Sequence, residues 1–156
     1  MSVMHISDLN QVPLRRFRNL FASLDVPDVN HLAGKYKGTF VGPAWVRWLV
    51  KPLLWITGLG GWWGKDVDAS GKAINIVLRK GKFPTHFPME FIREKSQIDG
   101  TLGMTLYYQK GNPFPWMFIV DEMRQLDEIT LLGMSHLNIP GLRWFALPFV
   151  LQKQLS

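Results

Sequence analysis

Apolar residues along most of this chain recur at every second position. Ile74, Ile76 and Leu78 alternate with Asn75, Val77 and Arg79, and Leu102, Met104, Leu106 and Tyr108 alternate with Thr101, Gly103, Thr105 and Tyr107. A period of two sends successive side chains to opposite faces of an extended chain, so these stretches predict strands rather than helices. Runs at 34–41, 62–67, 86–94, 115–124, 129–136 and 142–152 read the same way, separated by turn formers such as Ala-Ser-Gly-Lys at 69–72 and Lys-Gly-Asn-Pro at 110–113. About eight short strands at regular spacing predict an all-β fold, an antiparallel barrel with room inside for one small ligand.

Two segments depart from this pattern. Residues 13–24 place Leu14, Phe17, Phe21 and Leu24 near one helical stripe with Arg15, Arg16 and Arg18 off it, which predicts a short amphipathic helix. Residues 43–57, Pro-Ala-Trp-Val-Arg-Trp-Leu-Val-Lys-Pro-Leu-Leu-Trp-Ile-Thr, predict a second helix, bent at Pro52 and placed at the barrel mouth. A spanning helix needs about 20 apolar residues, whereas Arg47 and Lys51 interrupt this run. Three placements suit its tryptophans: packed on the barrel, lining its entrance, or at a lipid headgroup layer. The expected organisation is a single domain over 1–156, with a helical extension at 1–30 and the barrel at 31–156.

Composition sharpens the functional expectation more than the fold. Only 19% of residues are charged, while seven tryptophans, ten phenylalanines and three tyrosines exceed what a core of this size requires. That surplus points to an apolar small molecule as partner. The net charge of +6 favours anionic partners, including a peripheral membrane contact. No nucleic-acid-binding module is recognisable around Arg79, Lys80 and Lys82 or Arg93 and Lys95, so nucleic acid is not expected. The absence of cysteine removes disulfides and thiolate chemistry, and the N-terminal residues carry no apolar signal region, so a cytoplasmic location, with or without membrane association, is expected.

Candidate chemistry is sparse. His5, His31, His86 and His136 lack the spacings that put two ligands on one face, so neither a metal nor a cofactor is expected, although one axial histidine, with His136 the candidate, would suffice for haem. A two-residue turn at Asp127 and Glu128 would set Asp121 opposite Met134 and bring His136 diagonally onto its face, an acid–base couple; one more turn residue would separate them. Glu90 alternates against Phe87, Met89 and Phe91, so it is solvated if those three face the core; in the inverted pattern Glu90 and His86 point inward as catalytic candidates. No Gly-x-Ser-x-Gly or phosphate-binding glycine pattern occurs. The ligand-lining candidates are Tyr36, Trp48, Trp55, Trp62, Leu102, Met104, Leu106, Trp116 and Phe118.

Residues 21–29 and 32–38 contain Phe-Ala-Ser-Leu-Asp-Val-Pro-Asp-Val and Leu-Ala-Gly-Lys-Tyr-Lys-Gly, with Gly34, Tyr36 and Gly38 at the positions of a Gly-x-Trp-x-Gly motif and tyrosine in place of its tryptophan. With Gly-Trp-Trp-Gly-Lys-Asp-Val-Asp at 61–68 and the segment 118–134, the chain from about residue 20 resembles the small-domain family named after that motif. The resemblance implies a compact β-rich fold and no particular reaction. A looser likeness, a glycine-x-aromatic first strand after a short helix, is to lipocalins, which implies a lipocalin-like barrel for apolar ligands. Three functions follow as expectations: binding of a small apolar ligand, an isomerase, cyclase or lyase acting in the same pocket, and a peripheral membrane protein.

Overall fold

The computed structural model describes residues 5–142 and 145–155. Eight antiparallel strands close into a barrel in sequence order: β1 (Gly34–Phe40), β2 (Trp62–Val67), β3 (Lys72–Val77), β4 (Thr85–Lys95), β5 (Leu102–Tyr108), β6 (Ile119–Gln125), β7 (Thr130–Leu137) and β8 (Ala146–Lys153). Closure comes from β1 pairing β8, from Tyr36 opposite Lys153 to Phe40 opposite Phe149. With every strand paired on both sides, no free sheet edge remains among the described residues.

Alternation divides the side chains between two apolar clusters. Tyr36, Val67, Ala73, Val77, Met89, Met104, Leu106, Met123, Leu131, Phe149 and Leu151 fill the interior. The second cluster lies outside the wall, where α1 (Ile6–Leu9) and α2 (Phe17–Ser23) bring Leu9, Phe17 and Phe21 against Leu132 and Met134 of β7 and Ala146 and Val150 of β8. The helix expected over residues 13–24 is thus divided: Leu14–Arg16 form a 3-10 turn that leads into α2. Beneath these helices the outer face of β6 is buried as well. Arg124 donates to the Phe21 and Leu24 carbonyls and to Asp99 and Thr101, tying α2 to the β4–β5 turn.

The third helix, α3 (Ala44–Thr57), follows β1 directly and runs through Pro52. Pro43 caps its start and Gly58, at φ 97°, supplies the left-handed C-terminal turn that would strain any other residue. Two strands start four residues later than the sequence reading places them. Trp116–Phe118 form a 3-10 turn and β6 starts only at Ile119, because Pro113 and Pro115 cannot donate to a ladder. Strand β8 starts at Ala146, after a turn in which the Leu142 amide bonds the Ile139 carbonyl.

Candidate functional site

The barrel mouth holds an apolar chamber of about 430 Å³. Helix α3 supplies Val50, Leu53, Leu54 and Thr57; the 3-10 turn supplies Trp116 beside Pro115; and Phe40, Ile119, Leu137, Leu142, Phe145 and Leu147 complete the wall. Ser135 and His136 also border it. Trp116 is fixed by an indole N–H bond to the Thr57 carbonyl at 2.6 Å and by rings on either side, Phe87 at 5.4 Å and Tyr108 at 5.2 Å. Phe87 reaches that position through a left-handed backbone, φ 56°, at the point where the β3–β4 register shifts.

Below the chamber lies a second cavity of about 30 Å³, with Phe40, Leu54, Trp116 and Ser135 common to both. Its floor is polar. Lys65 Nζ lies 3.2 Å from Asp121 Oδ2, and both side chains are almost fully buried. The ammonium also donates to Asn75 Oδ1 at 2.9 Å and Met89 Sδ at 3.4 Å, and it faces the rings of Trp62, Tyr108 and Phe149 within 6 Å. Burial pushes the Lys65 amine below its ordinary range, with Asp121 opposing that shift. Burial, reinforced by the Asp121 charge, raises the Tyr108 phenol well above its usual value, and the hydrogen bond from Asn75 offsets part of this.

The acid–base couple of Asp121 and His136 is not formed. The β6–β7 turn has three residues between Leu126 and Thr130, stabilised by the Asp127 carboxylate accepting from the Ile129 amide. Asp121 therefore pairs with Ser135 and points inward, and His136 pairs with Val120 on the other face. There His136 Nε2 meets Glu122 Oε2 at 3.0 Å, both side chains buried, and the Gln97 amide also donates to that carboxylate. Glu90 is exposed, since Met89 takes the inward position. His86 packs beside Phe87 and borders neither cavity.

Of the expected lining residues, Trp116 borders both cavities and Trp62 the lower one. Tyr36, Met104 and Leu106 point inward but are packed into solid core, the Tyr36 hydroxyl donating to the Leu32 carbonyl. Leu102 is exposed at the start of β5, and Phe118 turns outward against Phe114 because its segment is not a strand. Trp48 and Trp55 do not line the entrance: they are 81% and 64% exposed, because α3 turns its aliphatic side to the barrel. Lys65, Asn75 and Tyr108 escaped the sequence reading. The available signal was phase, since Asn75 and Tyr108 share the inward alternation of Ala73, Val77 and Leu106.

Among the described residues no group of three His, Asp or Glu converges as a metal site, and no helix is long and apolar enough to cross a membrane. The chain is similar in structure to a crystal structure of a protein from Thermomonospora curvata, with a TM-score of 0.69 at 15% identity over 92% of this chain and 89% of that one. At that identity the likeness concerns the fold. No protein-family model matches the chain, and a search of curated proteins finds no match.

Proposed function

We propose that the protein binds a small apolar molecule in the mouth chamber. The observation that carries this reading is the chamber's size and lining: about 430 Å³, bordered by aliphatic and aromatic side chains with only Thr57, Ser135 and His136 as polar neighbours. Ligand sites commonly occupy about 300–1,000 Å³ with a few polar groups among apolar ones. The test is a fluorescence titration with the uncharged dye N-phenyl-1-naphthylamine. Leu54→Trp, which fills the chamber, should weaken binding at least about tenfold, equivalent to about 1.4 kcal/mol. Glu90→Gln, on the solvated face, should leave it unchanged. Absence of dye binding, or equal binding by Leu54→Trp with circular dichroism intact, rejects the chamber as a ligand site.

A second reading, contact with a lipid surface, is favoured by the outer face of α3. Trp45, Trp48, Trp55 and Ile56 are exposed there, with Arg47 and Lys51 on the same helix and no acidic residue in it. Phe114 and Met117 extend the apolar rim beside the mouth. Tryptophan with basic residues is the composition that seats a helix at an anionic interface. Phosphatidylcholine vesicles containing phosphatidylserine should sediment the protein, and replacing Trp48 and Ile56 together by serine should reduce the bound fraction severalfold. Equal sedimentation of that variant removes this reading and leaves the chamber untouched.

A further inference from the structure

Among the fully buried polar side chains of the chamber floor, the hydrogen-bond inventory is closed except at two atoms; the Ser135 hydroxyl, half-buried where the two cavities meet, can turn either its proton or a lone pair to a neighbour. Asn75 Oδ1 accepts from Lys65 Nζ and from Trp62 Nε1 at 3.0 Å, which fixes its amide orientation. Its Nδ2 donates to the Tyr108 hydroxyl at 3.1 Å and to the Phe87 carbonyl. Lys65 directs its three hydrogens to Asn75, Asp121 Oδ2 and Met89. Two groups are left over. Asp121 Oδ1 is buried with no partner, and the Tyr108 hydroxyl, already an acceptor, makes no donated bond among the described residues. Both residues border the lower cavity, whose volume of about 30 Å³ suits a group the size of a water.

A group seated there must donate to a carboxylate oxygen and accept from a phenol. A hydroxyl does both. A carboxylate has no proton to give, and both a carboxylate and a phosphate meet the Asp121 charge; an ether or carbonyl accepts but cannot donate; an ammonium meets Lys65. We infer that the ligand is an apolar alcohol, its hydroxyl between Asp121 and Tyr108 and its hydrocarbon in the chamber above, entering past Phe40, Leu54 and Trp116. The inference rests on the chamber being the ligand site. An alcohol hydroxyl makes the same pair of bonds that a water would make to these two groups, so the polar end adds specificity without leaving Asp121 Oδ1 unpaired.

The experiment is displacement of N-phenyl-1-naphthylamine by three probes of equal chain length, 1-decanol, decyl methyl ether and decanoic acid. The alcohol should displace the dye at a concentration at least about tenfold below the ether and the acid, since a hydrogen bond to a charged group carries roughly that factor. Tyr108→Phe keeps the ring and its packing and should bring the alcohol-to-ether ratio within about threefold. Asp121→Asn alone would leave Lys65 buried without its counter-charge, so it is combined with Lys65→Met; the double variant should also lose the alcohol preference. Equal affinity for the three probes, tightest binding of the acid, or an unchanged ratio in Tyr108→Phe overturns the inference while the chamber stands. Failure of the dye itself to bind overturns both.

Discussion

Lys65 sits where a lysine is least expected, inside a small barrel among Trp62, Tyr108 and Phe149. Leaving such an ammonium unpaired costs several kcal/mol, so its position depends on Asp121 and Asn75 arriving from two other strands. Asp99 illustrates the same dependence on the outer wall. Partial burial alone would raise its carboxyl, but the amide and hydroxyl of Thr101 and the Arg124 guanidinium outweigh burial and hold it below its ordinary value of 3.8. A carboxyl depressed in the folded state contributes stability that is fully present above the unfolded value and lost as pH falls through the folded one. The stability difference between the wild type and Asp99→Asn, measured by urea unfolding, should therefore hold at neutral pH and shrink below about pH 4. A difference that stays constant into acid would contradict this account of the Asp99–Arg124 contact.

Strand pairs in this barrel are drawn together at positions that admit no side chain. A Cβ on Gly64 would lie 1.8 Å from the Tyr36 carbonyl oxygen, backbone against backbone across the β1–β2 pair. Neither atom can yield without breaking the ladder. Gly64→Ala should lower the urea midpoint by the equivalent of roughly 1–3 kcal/mol or more, the range of overpacking in a filled core. Gly103 on β5 is the control: its nearest neighbour would be Arg124 Nη2 at 3.5 Å, an ordinary contact. Gly103→Ala should change stability by less than about 1 kcal/mol, helped by a less flexible unfolded chain. Similar losses at both positions would mean that glycine is needed for backbone freedom rather than for close approach. Helix α3 adds a further element-level fact, since Val46 and Val50 pack inward while Trp45 and Trp48 stand in solvent.

In the whole molecule, the aromatic surplus is divided three ways. One part fills the barrel, with Phe40, Trp62 and Phe149 in mutual ring contact. Another, Phe17 and Phe21, cements α2 to the outer wall. The remainder surrounds the mouth as an exposed rim. Burial of the outer wall under α1 and α2 explains how Glu122, Arg124 and His136, on the face opposite the interior, come to be buried and paired. Polar chemistry therefore lies on both sides of β6: Asp121 faces the chamber floor, while Glu122 and Arg124 lie on the outer face, Glu122 against His136 and Arg124 bonded to the Phe21 and Leu24 carbonyls.

Local pattern was sufficient for the architecture. Period-two alternation from Gly34 onward marked the strands, β2 to the residue, and Pro43 with Gly58 bounded α3, because strand pleat and helix caps are short-range properties. The site depended on longer-range geometry. Helix α3 is apolar on both sides, so periodicity could not say that Leu53 and Leu54 would line the chamber and the tryptophans face outward; contact with the barrel decided that. One added residue in the β6–β7 turn reversed Asp121 and His136, since a strand register slipped by one exchanges its faces. Lys65, Asn75, Tyr108 and Asp121 lie on β2, β3, β5 and β6, and only closure of the sheet brings these four polar side chains together on one floor beneath the apolar chamber.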